Sequence, residues 1–287
     1  MIRALPRPRH EPAVHAANDQ PQSPPSLPTG PDVVRMNQHY DRVMYAPLLD
    51  EYFGHSDFQN YGCWDTNPPD RRAACERLME RLLALLPAGR GRVLDVACGK
   101  GASTRYLLRY YSPAQVVGVN VSPKQLATCR GNVPQVAFLQ MDAARLGFGD
   151  ATFDHLVCVE AAFHFDTRAD FLREAHRVLR PGGRLVLTDV LLTCEAERRR
   201  LSFTEKNHLD GPAGYAALLR ACGFAALEVS DATEDCWRAS FRHFVQHVHE
   251  LYLRHRIDRA ALAQALDQAY SFVGDLEHYL IAAATRP

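Results

Sequence analysis

The chain has 287 residues, with 33 basic and 33 acidic side chains and a formal net charge of zero. That length can bury a substantial core, while a balanced charge gives no long-range field to gather nucleic acid or anionic lipid, so neither is expected as a partner. No apolar run approaches the roughly 20 residues a membrane helix needs, and the arginines of MIRALPRPRHEP have no apolar stretch behind them, so the opening does not read as a secretory signal.

The eight cysteines stand singly, without a C-x-x-C pair, which predicts reduced core thiols, no structural zinc and a cytoplasmic protein. Residues 1–30 carry Pro6, Pro8, Pro12, Pro21, Pro24, Pro25 and Pro28 among few large apolar residues, the composition of a disordered tail. Residues 31–70 form an aromatic-rich segment expected to pack over something else, as an N-terminal lid. From residue 71 a helical stripe of Cys75, Leu78, Met79, Leu82, Leu85 and Leu86 runs to Pro87 and Gly89.

Short apolar runs at 92–97, 115–120, 136–140, 155–160 and 184–190 then alternate with helical stretches near 102–111, 123–130 and 168–179. Their apolarity is continuous rather than alternating, as in strands covered on both faces of a parallel sheet. Arg180-Pro-Gly-Gly183 reads as a helix stop and turn. Beyond 190 the rhythm breaks into helices at 195–208 and 214–222, a strand at 224–229, a helical pair at 236–254 and 258–272, and a last strand at 278–284. The expected fold is α/β: a Rossmann-like, doubly wound, mostly parallel seven-stranded sheet in residues 71–287, with ligand chemistry at the carboxyl ends of the strands. The helical insertion at about 231–275 is expected above the sheet as a lid.

The densest chemical signal is Val93-Leu-Asp-Val-Ala-Cys-Gly-Lys-Gly101. A strand closes on an acid, and a loop of small residues lets the backbone approach a ligand before a helix begins. The dinucleotide fingerprint would need glycine at 104, where this chain has Thr104, and the phosphate loop ending in Gly-Lys-Ser/Thr is absent. A nicotinamide enzyme is therefore disfavoured.

The stretch Asp95-x-Ala97-x-Gly99-x-Gly101 resembles the first motif of class I S-adenosylmethionine-dependent methyltransferases, with Ala97 where the family commonly has glycine. The resemblance continues in order over about 70–250. Val117–Leu126 matches the second strand end at the cofactor ribose; it implies cofactor contacts from Asn120, Val121 and Gln125, although most members have an acid where this chain has Asn120. Gln140-Met-Asp-Ala143 matches the adenine turn, implying Asp142 and Ala143. Phe153-Asp154 and Val159–His164 match the fourth strand and the loop beyond it, where Glu160 would line the cofactor. Tyr40-Asp41 and Tyr61-Gly-Cys-Trp64 resemble the lid of the branch that includes ubiquinone, tocopherol and natural-product methyltransferases, implying Tyr40 and Trp64 over the cofactor. Trp64 and Tyr61 are equally readable as aromatic stacking on a flat acceptor or as core closure.

The resemblance implies S-adenosylmethionine as cofactor, no metal, and methyl transfer to oxygen, nitrogen or carbon of a small biosynthetic acceptor. Two other readings stay open: C-methylation or cyclopropanation of a lipid or polyprenyl chain, and a non-catalytic cofactor-binding scaffold. His164, just past the fourth strand, is the first candidate for a general base, since an imidazole near pKa 6.5 suits proton removal at neutrality; it is as readily a pocket wall. Asp189, at the end of the fifth strand, is a second candidate to orient or assist. His243 and His247 share a helix face but lack a third ligand, so a histidine-rich lid helix is the better reading.

Overall fold

The computed structural model describes residues 31–287 except 88, 166 and 200–206; the proline-rich tail and residues 200–206 of the helix expected at 195–208 lie outside the described residues. Seven strands form one sheet: β1 (Val93–Val96), β2 (Val116–Asn120), β3 (Ala137–Gln140), β4 (Phe153–Val159), β5 (Leu179–Leu192), β6 (Ala225–Asp231) and β7 (Leu276–Thr285). Their order is β3-β2-β1-β4-β5-β7-β6. The first five run parallel, and β7 is antiparallel to both β5 and β6.

Continuous apolarity has its physical reason here. Successive strand residues point to opposite faces, and both faces are covered. Val93, Val157 and Val186 join Leu78, Met79 and Leu82 in one buried cluster, whereas Leu94, Leu156, Leu185 and Leu187 join Phe171, Leu172 and Val178 in the other. The helices that do this covering are α3 (Arg71–Leu83) on the first face and α6 (Arg168–Val178) on the second. Asp70 and Thr167 start them by accepting the N–H groups of Ala73 and Asp170.

The Arg180–Gly183 stretch departs from expectation. It is a bulged beginning of β5, not a separate turn: Leu179 already pairs with Phe153, and the register shifts before His155 meets Arg184. Gly182 takes φ +78°, and Gly182 N–H donates to the Arg286 carbonyl at 2.7 Å, so the C-terminal residues hold this segment in the sheet. The helix expected at 102–111 is shorter, α4 (Ala102–Leu107).

Before the sheet come α1 (Pro31–Val43) and α2 (Pro47–Tyr52). Between β2 and β3 lies α5 (Pro123–Asn132), started by Pro123 and by the Ser122 hydroxyl accepting Gln125 N–H. After β5 come α7 (Cys194–Arg198) and α8 (Gly211–Ala221). The insertion between β6 and β7 opens with a π-helical turn, Thr233–Arg238, and continues as α9 (Ala239–Leu253) and α10 (Arg259–Val273). Among the described residues no helix is long and apolar enough to cross a membrane.

Candidate active site

The loop after β1 turns through three left-handed residues, Ala97 (φ +56°), Gly99 (+56°) and Gly101 (+87°). Gly99 faces open space, so the backbone there is bare to a ligand. Cys98 N–H donates to the Val119 carbonyl at 3.1 Å, fixing the loop to β2. Gly118 makes that approach feasible, because a Cβ there would stand 2.6 Å from the Phe138 ring and 3.3 Å from Cys98 Sγ.

Asp95 lies beneath the loop instead of on the cavity wall. It is 1% exposed, and one carboxylate oxygen accepts the hydroxyls of Ser103 at 2.8 Å and Thr104 at 2.6 Å. Burial pushes its carboxyl up to about 6, against the pull of the two hydroxyls. The acid thus ties strand to helix and sets the shape of the loop. Thr104, which argued against a dinucleotide site by not being glycine, is one of its two partners; an acid followed by hydroxyls at the helix start was the available sequence signal.

At the end of β2, Asn120 Oδ1 accepts the N–H groups of Val121 (2.7 Å) and Ser122 (3.3 Å). Its Nδ2 donates to Gln125 Oε1 at 2.8 Å and to the Gly99 carbonyl at 3.3 Å. Asn120, Val121 and Gln125 share with Ala97, Gly99 and Glu160 a cavity of about 260 Å³. Further wall comes from α1, through Met36, Asn37 and Tyr40, from Phe53, residues 57–61 and Arg71, and from Phe163, His164 and Phe165 beyond β4.

Tyr40 and His164 meet on that wall. The tyrosine hydroxyl hydrogen-bonds His164 Nε2, and the rings cross edge-on with centroids 4.8 Å apart. Phe163 lies against the other side of the imidazole, centroids 3.8 Å apart. Glu160 sits at φ +49° with its N–H donating to Thr188 Oγ1 at 2.9 Å. Its carboxylate accepts Tyr61 N–H at 2.8 Å and the Tyr279 hydroxyl at 2.6 Å, and desolvation raises its pKa to about 7.

Other expected site residues stand elsewhere. Asp189 is fully buried in β5, paired with Arg168 Nε at 2.7 Å, and does not reach the acceptor side of the cavity. Its other oxygen accepts the N–H of Phe163 at 3.0 Å, so it holds the short turn Ala162–His164 that carries the imidazole. Gly101 caps α4 behind the loop. Asp142 closes its own turn by accepting Ala144 N–H at 2.9 Å, and the buried Ala143 beside it is likewise off the cavity wall.

Trp64 faces the insertion: its ring lies 4.2 Å from His243, centroid to centroid, and its backbone N–H donates to the Asp235 carbonyl at 2.9 Å. The insertion packs on residues 52–71, through Tyr52–Phe244 and Tyr61–Trp237 as well, and among the described residues none of 231–275 lines the cavity. Direct cover comes from α1 and from residues 53–61, both within the 31–70 segment whose Tyr40 the resemblance sets over the cofactor. His243 and His247 pack on Tyr52, and burial pulls His243 down to about 4. Among the described residues no group of three or more His, Cys, Asp and Glu could hold a metal.

Residues 94–187 match the family model described as a methyltransferase domain. A 27-O-demethylrifamycin SV methyltransferase from Amycolatopsis mediterranei (strain S699) is 30% identical over 280 residues, covering 90% of this chain and 99% of that protein. Among solved structures, the [4+2]-cyclase SpnF superposes with a TM-score of 0.67 at 25% identity, covering 91% of this chain and 98% of that one. A Haemonchus contortus phosphoethanolamine N-methyltransferase 2 in complex with S-adenosyl-L-methionine shares the fold at TM-score 0.64 and 18% identity, over 88% of this chain and 60% of that one. The matched domain is the stretch that builds the bare-backbone loop and the strand ends around the cavity, and relatedness extends along nearly the whole chain: it belongs to the S-adenosylmethionine-dependent methyltransferases.

Proposed function

We propose that the chain methylates a hydroxyl of a bulky, largely apolar biosynthetic intermediate, with Tyr40 and His164 as the proton acceptor. S-adenosylmethionine, when bound, supplies a methyl group on a sulfonium, which transfers in line to a nucleophile. The residues present suit that cofactor: bare backbone at Gly99 and a polar strand end at Asn120 and Gln125 share one cavity. Val121, Glu160 and the loop around Ala97 complete the assigned contacts; Asp95 and Gly101 support them from behind.

The observation that carries the acceptor reading is the Tyr40–His164 hydrogen bond on the cavity wall. With its proton donated toward Nε2, Tyr40 Oη acts as the hydrogen-bond acceptor for an incoming hydroxyl on this wall. The acceptor O–H gives its proton to Tyr40 as the tyrosine proton moves to His164, and the oxygen left behind takes the methyl. Such acid–base help is worth on the order of 10²–10⁴-fold. Met36, Phe163 and Phe165 supply apolar surface that excludes water from the transfer. Asp189 has no direct role in this scheme; it fixes the backbone beside His164.

The rifamycin relative, a 27-O-demethylrifamycin SV methyltransferase, has its acceptor at an oxygen, which supports O-methylation here. The converging Tyr40, His164 and Asn37 favour a polar acceptor atom over an alkene or polyprenyl carbon. Balanced charge and eight unpaired cysteines, seven of them buried, support a cytoplasmic enzyme that does not act on nucleic acid. Transfer of a labelled methyl group to candidate polyketide-type alcohols, with product mass spectrometry, tests the reading; labelled product on carbon or nitrogen would overturn it. A second reading, a cofactor-holding scaffold, draws on the saturated amide of Asn120. Cofactor binding without label transfer to any acceptor would favour it.

A further inference from the structure

Asn120 occupies the strand end where an acid is usual in the family, and both sides of its amide are already engaged. The carboxylate missing there enters from α1. Gln125, which accepts from Asn120, donates through Nε2 to Asp41 Oδ1 at 3.2 Å, and the same oxygen accepts the Ser122 hydroxyl at 2.9 Å. The Lys124 ammonium donates to the Asp41 backbone carbonyl at 3.0 Å and stands 4.0 Å from the Tyr45 ring centre. Tyr45 in turn hydrogen-bonds Thr128 Oγ1 at 2.6 Å.

Asp41 is the residue after Tyr40. Consecutive helical residues point about 100° apart, so α1 reaches α5 with one and His164 with the other. A helix of 13 residues is marginal by itself, and the contacts of Asp41, with the Tyr40–His164 bond, tie α1 to the rest of the fold. We propose that Asp41 is a positioning residue that couples the donor end of the cavity to the Tyr40–His164 pair through Asn120 and Gln125. The inference rests on the donor reading above. Reciprocity follows: whatever orders Asn120 and Gln125 also seats Tyr40, and loss of the clasp weakens donor binding.

The polarity of the chain gives a distinctive consequence. Asn120→Asp replaces a donor by an acceptor opposite Gln125 Oε1, so the glutamine amide must turn and present its oxygen to the Asp41 carboxylate. Restoring the usual family acid would then loosen α1. Adding Asp41→Asn supplies a donor to the turned amide and re-forms the chain.

The test compares wild type, D41A, N120D and N120D/D41N. Calorimetry with S-adenosylhomocysteine is combined with hydrogen exchange of residues 36–45 and the His164 ring resonance. In wild type the ligand should slow exchange and move the resonance. D41A and N120D should bind about tenfold more weakly and lose both responses, while the double variant recovers them. Wild-type affinity and protection in D41A, or no recovery in the double variant, would overturn the clasp while leaving the donor reading intact. Absence of binding to wild type at millimolar ligand would overturn the donor reading and the clasp together.

Discussion

Tyr40 in α1 hydrogen-bonds His164, which follows β4, and the two rings cross at 75°. The contact joins the first described helix to the carboxyl edge of the sheet, across the cavity whose wall includes Gly99 and Asn120. Tyr40→Phe keeps the ring packing and removes the hydroxyl, whereas His164→Ala removes the final proton acceptor. His164→Ala should lower kcat on the order of 100-fold or more, and Tyr40→Phe by a similar factor, with S-adenosylhomocysteine affinity in His164→Ala falling by no more than the roughly tenfold coupling carried through α1. Steady-state kinetics with calorimetry checks this; equal loss of cofactor affinity would make His164 part of the donor site instead.

Ala97 holds a left-handed φ of +56° with a Cβ that this conformation penalises. Ala97→Gly relieves the strain but gives the unfolded chain more freedom. The net expectation is a gain of about 0.5–1 kcal/mol in urea unfolding, with cofactor affinity maintained or improved. A destabilised variant would mean that the methyl group packs more favourably than the backbone is strained.

Glu160 is raised to about 7 from an ordinary 4.5, chiefly by desolvation. The folded state therefore holds its proton more tightly than the unfolded one, so stability falls as pH rises from about 4.5 through about 7. Glu160→Gln retains an acceptor for Tyr61 N–H and Tyr279 and removes the charge. It should flatten this part of the profile and stabilise the protein by about 1–2 kcal/mol at pH 8, with little effect at pH 4.5. Denaturation at several pH values is the check, and a destabilised variant at pH 8 would show that the carboxylate is better compensated than its surroundings indicate.

Arg168 and Asp189 form an ion pair with both side chains buried. Arg168→Met leaves a carboxylate without its guanidinium, which should cost about 3–5 kcal/mol. Asp189→Asn keeps an oxygen for the N–H groups of Phe163 and Val190, and should cost less. Activity per folded molecule should fall only modestly in Asp189→Asn, because Asp189 acts through the backbone of Phe163. A loss as large as that of His164→Ala at full folding would return Asp189 to the chemistry.

The amino-acid sequence by itself determined the sheet, the glycine loop and the cofactor class. Those signals are local: apolar runs flanked by Gly and Pro, and an acid-to-glycine spacing along one short stretch, are written within a few residues of each other. Asn120, Gln125 and Glu160 were readable for the same reason, since Asn120 ends β2, Gln125 lies in the first turn of the helix after it, and Glu160 follows β4. Tertiary structure decided which side chains share a space. It sent Asp95 beneath the loop to Ser103 and Thr104, committed Asp189 to Arg168, and set the 231–275 insertion on residues 52–71 instead of over the cavity. Tyr40 with His164, and Asp41 with Gln125, are neighbours only because helices from opposite parts of the chain converge on one sheet edge. Periodicity fixes the face of an element on which a residue stands, but the partner opposite that face is set by how elements distant in the chain pack together.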